Sequence, residues 1–190
     1  MKKTIILGIF ILLGVDLYGQ SEKKQEQSIT VGLGIGVHNG AYESSLGLVY
    51  MVGWQQELGD RQRLRINPNM TFGSYKDYLT DTRDLFYRLS ALGVDIHYDL
   101  VKYKGFSLVT SGGVFVSYSR GLMGTGDFEG QHHSSDYFTM LYGGAKASVG
   151  IRYDPKQGRI AYELIPATLA LGNSHYAWLY PMAKINIKLF

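Results

Sequence analysis

Residues 28–38 read Ser-Ile-Thr-Val-Gly-Leu-Gly-Ile-Gly-Val-His, and this stretch decides the fold. Ile29, Val31, Leu33, Ile35 and Val37 fall on one face of an extended chain, with Thr30, Gly32, Gly34, Gly36 and His38 on the other. Successive side chains of a strand point to opposite faces, so this strict period of two is a strand and not a helix. Gly32, Gly34 and Gly36 have the spacing of a phosphate loop, but no helix follows and no Lys-Ser/Thr pair closes it. Glycine on one face instead leaves space inside a sheet that closes on itself.

The same alternation recurs seven times. Leu46, Leu48, Tyr50, Val52 and Trp54 form the second apolar row, and Leu64, Ile66, Met70 and Phe72 the third, opposite Arg65, Asn67, Asn69 and Thr71. Leu92, Val94, Ile96 and Tyr98 form the fourth, opposite Asp95 and His97. The fifth, Phe106, Leu108, Val114, Val116 and Tyr118, alternates with serines. The sixth runs Leu141, Ala145, Ala147, Val149, Ile151, Tyr153, opposite Lys146, Ser148 and Arg152. Ile160, Tyr162 and Leu164 oppose Glu163, and Leu179, Ala183, Ile185, Ile187 and Leu189 oppose Lys184, Asn186 and Lys188. Eight strands, an even number, each long enough to cross a bilayer at a tilt, predict an all-β, eight-stranded, antiparallel up-and-down transmembrane β-barrel.

Composition agrees. The chain has 190 residues, 24 glycines, 15 tyrosines, 8 phenylalanines and no cysteine, with 18% charged residues. That length supports one domain with its own core. Zero cysteine excludes disulfide frameworks, thiol catalysis and cysteine zinc sites. A net charge of +3 is too weak for a nucleic-acid binder. Met1-Lys2-Lys3 and the apolar run Ile5–Val15, followed by Leu17-Tyr18-Gly19, have the form of a cleaved secretory signal peptide, too short to span as a helix. The expected organisation is a signal peptide at 1–19, a polar lead-in at 20–27 and the barrel at 28–190.

Connections and aromatic residues suggest the orientation. The connections at 38–45, 74–84, 120–136 and 172–177 are read as one end, alternating with shorter ones at 57–62, 101–104 and 154–158. Such asymmetry is expected when one end of a barrel faces the periplasm and the other the outside. Tyr42, Tyr75, Tyr78, Phe86, Tyr87, Tyr118, Tyr137, Phe138, Tyr176, Trp178 and Tyr180 are read as the outer interfacial belt. Trp54, Tyr98, Tyr103, Phe106, Tyr153, Tyr162 and Phe190 are read as the inner one. Pro68, Pro166 and Pro181 lie inside strands and remove ladder donors, so bulges are expected there.

The charges fall on the inward rows. Arg65, Asp95, His97, Lys146, Arg152, Glu163 and Lys184 are the candidate site residues, read as a structural network. An eight-stranded barrel is just wide enough for side chains to fill it, and buried charges must pair. The expectation is a salt-bridged plug; the alternative is a proton or ion path along the same residues.

With its signal peptide, eight alternating strands, outer loops and terminal Phe190, the chain resembles the small eight-stranded outer membrane proteins, the OmpA/OmpX-like barrels. Gln20 at the mature start and the Tyr/Gly-rich strands are similar to the Bacteroidetes-type outer membrane β-barrel domain. The resemblance covers the whole mature chain and implies outer membrane localisation, a monomer, lipid and lipopolysaccharide contacts, and insertion by the barrel assembly machinery. The terminal signal departs from the family pattern: Lys188 and Asn186 stand where apolar residues usually alternate back from the last aromatic, and Leu189, Ile187 and Ile185 are shifted by one.

No residue is assigned a catalytic, cofactor or metal role. Asp127, Glu129, His132, His133 and Asp136 cluster in a glycine-rich loop that favours solvation over a metal shell. Ser174 and His175 with Asp127 or Asp136 nominally supply a hydrolase triad, and some eight-stranded barrels deacylate or acylate lipid A at the outer rim. The deacylase pattern His-x-Ser-Asn-Ala is scrambled in Asn173-Ser174-His175-Tyr176-Ala177. Lys76, Arg83 and Arg88 lie where lipopolysaccharide phosphates would attract them. The expected role is structural or adhesive, non-enzymatic and non-conducting, expressed through loops 74–84 and 120–136. The alternatives are a lipid A-modifying enzyme, or a soluble periplasmic barrel for a small apolar ligand.

Overall fold

The computed structural model describes residues 26–41, 43–59, 63–76, 86–125, 134–155 and 158–189. The signal segment 1–19 lies outside them. Eight strands follow one another: β1 (Gln27–Asn39), β2 (Ser44–Leu58), β3 (Leu64–Lys76), β4 (Phe86–Tyr103), β5 (Phe106–Thr125), β6 (Ser134–Tyr153), β7 (Ile160–Gly172) and β8 (Ala177–Lys188). Each pairs antiparallel with the next, and β8 returns to β1 to close the barrel. Closure leaves no edge whose backbone groups would meet lipid unpaired. The expected eight-stranded architecture is the one found.

The two faces of each strand are separated as the alternation demands. Leu33, Leu92, Val114 and Leu141 are each more than 60% exposed on the outside. Arg65, Asn67, His97, Asn186 and Glu163 are buried within. A soluble protein places these classes the other way round.

The prolines are accommodated in two ways. The β7–β8 register shifts between Ile165 and Thr168, and β6–β7 shifts between Val149 and Ile151, so bulges flank Pro166 on both sides. Pro181 lies opposite that same irregular stretch. Its carbonyl presses on β1 at Gly34, where an added Cβ would come within 2.1 Å of it, so only glycine fits. Pro68 pairs with Val94 without a shift, and its missing donor merely interrupts the ladder to β2.

Several boundaries differ from expectation. Glu26 and Gln27, placed in the polar lead-in, already belong to the barrel: Glu57 N donates to Glu26 O at 3.0 Å, and Gln27 pairs with Gln56. The 120–136 connection is largely hairpin, since Arg120 pairs with Thr139, Met123 with Asp136 and Thr125 with Ser134. The connections 40–43 and 173–176 are as tight as those at the other end, so loop length does not alternate strictly. Ladder pairing continues wherever backbone donors find partners, and polar composition alone did not mark its limit.

The interior charge and aromatic layers as the candidate functional site

The interior is stratified. Toward the end where β1 begins and β8 finishes, strand pairing sets charges side by side: Glu57 opposite Arg65 opposite His97, and Arg152 opposite Glu163 opposite Lys184. Arg65 Nη2 donates to Asp99 Oδ1 at 2.5 Å with both side chains buried. Lys102 Nζ reaches the other oxygen of Asp99 at 3.1 Å. With its amide oxygen turned toward them, Gln55 accepts from Arg65 Nη1 and Arg152 Nη1 at 3.2 Å each, tying two cations together. Arg152 also lies 3.9 Å from Glu57 and donates to Asp154 Oδ2 at 2.6 Å. His97 Nδ1 stands 3.6 Å from Glu163 Oε1.

One layer higher, Lys146 Nζ lies 3.1 Å from Asp95 Oδ2 and donates to Asn69 Oδ1 at 3.0 Å. Asn69 Nδ2 in turn donates to Asp95 Oδ2 at 2.9 Å. Gly93 and Gly113 make room for this group: an added Cβ at Gly113 would stand 2.2 Å from Asp95 Oδ1, and one at Gly93 would stand 3.0 Å from Lys146 Nζ. All seven candidate residues therefore face the interior. On the strands four cations (Arg65, Lys146, Arg152, Lys184) meet four carboxylates (Glu57, Asp95, Asp99, Glu163), and mutual charge is what makes such burial tolerable. Glu57 and Asp99 were missed although both sit on inward positions. Asp99 precedes a β4 bulge between Asp99 and Val101 that breaks the local alternation.

At the opposite end the filling is aromatic. His38 is ringed by Tyr75, Tyr87, Tyr142, Tyr176 and Trp178, with the Tyr176 centroid 4.8 Å away. Tyr75 and Tyr87 stack at 4.9 Å, and His38 Nδ1 lies 3.1 Å from the Tyr87 hydroxyl. Tyr142 donates to Glu43 Oε1 at 2.9 Å, while Ala41 N donates to the same hydroxyl at 3.1 Å. This corrects the outer belt: Tyr75, Tyr87, Tyr176, Trp178 and Tyr180 are buried inside. Phe86, Tyr118 and Tyr137 face outward as expected, and Tyr42 and Tyr78 lie outside the described residues. Depth along a strand does not fix the face; parity does, and 75, 87, 178 and 180 share the parity of the polar positions on their strands. At the other end, Tyr98, Tyr103, Phe106, Tyr153 and Tyr162 are exposed on the exterior; Trp54 is half-buried, and Phe190 lies outside the described residues.

The termini end is closed by a further ion cluster. Lys188 Nζ lies 3.0 Å from Glu26 Oε1 and 2.8 Å from Asp154 Oδ1. Glu26, Glu57 and Asp154 converge closely enough to hold a metal ion, but Lys188 and Arg152 already stand among them. Burial pushes the Asp154 carboxyl up, and the Lys188 hydrogen bond and the Arg152 charge outweigh it, holding it below its usual range.

The other candidates are scattered. Asp127, Glu129, His132, His133 and Arg83 lie outside the described residues. Asp136 is exposed on β6. Ser174 and His175 are exposed turn residues with positive φ of 53° and 61°. Lys76 and Arg88 are exposed at the aromatic end, with the Arg88 guanidinium 5.5 Å from the Phe86 ring centre.

A closed eight-stranded barrel with apolar residues outside and charge inside has the architecture of the small outer membrane barrels. The comparison with solved structures agrees. Neisserial surface protein A superposes with a TM-score of 0.65 at 12% identity, covering 86% of this chain and 97% of that one. The attachment invasion locus protein Ail of Yersinia pestis gives 0.57 at 8% identity, covering 87% and 99%. A major outer membrane protein of Thermus thermophilus gives 0.55 at 13%, covering 86% and 99%. No protein-family model matches the chain, and no curated protein matches it. Architecture is shared at identities where side chains are not.

Proposed function

We propose that the protein is an integral outer membrane barrel with a filled, non-conducting interior, acting through its surfaces as a structural or adhesive element. The observation that carries this reading is the inversion of the barrel. Its outer face is apolar through the middle of all eight strands, while its inner face holds four cations against four carboxylates beneath a packed aromatic layer. The first feature suits hydrocarbon, and the second suits a plug better than a channel. The solved neighbours include an attachment protein, which favours the adhesive half of the reading. The connections that follow β3 and β5, with the strand ends that carry them, would present the contact surface, with the termini end in the periplasm. No catalytic role is assigned to Ser174 or His175. The partners expected are membrane lipid, lipopolysaccharide and the barrel assembly machinery, with the barrel itself monomeric.

Surface labelling tests the placement. His175→Cys, in the exposed β7–β8 turn, should react with an impermeant maleimide on intact cells, and Lys104→Cys, in the β4–β5 turn, should react only after lysis. The opposite labelling pattern would invert the topology, and protection of both until lysis would remove the protein from the outer membrane.

A further inference from the structure

On the exterior of the aromatic end, β4 and β5 place two arginines directly opposite each other. Arg88 pairs with Arg120, flanked in the same row by Ser74 of β3 and Thr139 of β6. Both arginines are exposed, and no ion pair to either is found among the described residues. Like charges directly across a ladder repel, so the sheet is weaker here than an Arg–Glu or Arg–Ser pair would leave it. The row toward the rim holds Phe86, Leu122 and Tyr137, and the row toward the barrel centre holds Phe72, Tyr118 and Leu141. Lys76 completes the rim row beside Phe86 and Ser90 the inner row between Phe72 and Tyr118, so the two arginines form a cationic spot at the rim with mostly apolar neighbours on either side. Arg88 lies against the Phe86 ring, with its stem along apolar surface and its head turned to the rim.

A second feature lies directly beneath. The outer surface carries a shallow groove of about 610 Å³ whose walls include Met70, Leu92, Val94, Val114 and Val116, almost wholly apolar. Leu92 and Val94 are four and six residues along β4 from Arg88, which at ~3.3 Å per residue puts the groove ~13–20 Å along the tilted strand from the arginine's backbone position. Val116 and Val114 descend β5 from Arg120 in the same way. Charge at one level and an apolar trough a chain's length below it have the shape of a single amphiphile.

We propose that Arg88, Arg120 and the groove beneath them hold one phosphorylated, acylated lipid of the outer leaflet, its phosphate on the two guanidiniums and an acyl chain along Leu92, Val94, Val114 and Val116. A phosphate between the arginines replaces their repulsion with two charge-assisted, fork-shaped contacts, which guanidinium geometry favours. Ser74 and Thr139 flank the two arginines in the same row with hydroxyls, and Tyr118 is the next outward residue of β5 on the way to the groove. The inference rests on the outer membrane reading and names a binding site that the reading leaves open.

Native mass spectrometry of the purified full chain tests it, with bis-phosphorylated lipid A, enzymatically dephosphorylated lipid A and inorganic phosphate as separate probes. Folding of each variant is checked by heat-modifiable gel mobility. The expected result is retention of phosphorylated lipid A by the wild type, with no retention of the dephosphorylated form and no competition by millimolar phosphate. Arg88→Gln/Arg120→Gln should weaken retention by about tenfold or more, the worth of one lost charge-assisted contact. Val94→Trp, which fills the groove and leaves both arginines, should weaken it as well, and Lys104→Gln at the far end should not. Equal retention by wild type and the folded double variant, or equal binding of dephosphorylated lipid, overturns the site and leaves the barrel reading standing. Competition by phosphate alone overturns the acyl half. A wild type that never gives a heat-modifiable, detergent-stable barrel overturns both.

Discussion

Arg65→Met is the sharpest test of how dry the interior is. Arg65 is fully buried on β3, and its Nη2 sits 2.5 Å from Asp99 Oδ1, itself 1% exposed. Removing the guanidinium leaves Asp99 with Lys102 Nζ at 3.1 Å, a side chain 37% exposed and able to lean toward it. Breaking a buried ion pair by deleting one member costs about 3–5 kcal/mol. Partial rescue by Lys102 places this variant at the lower end, about 3 kcal/mol, or roughly two powers of ten in the folding equilibrium. Arg65→Met/Asp99→Leu removes both charges and should return to within about 1 kcal/mol of wild type, because a buried pair is often no better than apolar residues of similar volume. The assay is urea unfolding in phospholipid vesicles, followed by Trp54 and Trp178 fluorescence. A single-variant cost below about 1 kcal/mol, the worth of an exposed pair, would mean that Asp99 is hydrated and the interior open.

Three further outcomes follow from the same geometry, all read by urea midpoints. Val114→Arg, on the exterior at mid-strand, should cost about 2–4 kcal/mol, while Val101→Arg near the β4–β5 turn should cost no more than about 1; equal costs would deny a hydrocarbon surround. Gly113→Val would place Cβ 2.2 Å from Asp95 Oδ1 and 2.4 Å from the Val94 carbonyl, costing about 1–3 kcal/mol. Gly112→Ala faces open space and should stay within about 0.5 kcal/mol, so comparable losses at both would reject the inward–outward assignment. Asp154 titrates lower in the folded state than unfolded, so its contribution is present above its ordinary value of 3.8 and is lost as pH falls through the lower folded value. Asp154→Asn should flatten that part of the acid limb, and an unchanged pH dependence would remove the Lys188–Asp154–Arg152 cluster from the stability of this end.

The fold was legible because each strand kept its period. The row Ile29 to Val37 and the row Leu179 to Ile187 are separated by almost the whole chain, yet they pair as Val31 with Ile185 and Ile29 with Ile187. The seven interior charges were legible for the same reason: Lys146 and Glu163 are polar interruptions of apolar alternation. The aromatic layer was not. Tyr and Trp satisfy both an interfacial belt and a packed interior, and only counting parity through Tyr75, Tyr87 and Tyr142 separates the two. Asp99 shares the parity of Asp95 and His97 and was within reach of the same count, at the last position before the bulge, whereas the extent of the β5–β6 hairpin was hidden by serine and glycine, which pair in a ladder as readily as they form loops. The Arg88–Arg120 pair required register, since the two residues that face each other across one ladder stand 32 positions apart in the sequence.

Conductance tests the central claim most directly. Wild-type protein reconstituted in planar bilayers at neutral pH should give no stable open state, because the paired charges and the aromatic layer occupy the section of an eight-stranded barrel. Reproducible ohmic steps from the folded wild type would contradict a filled interior.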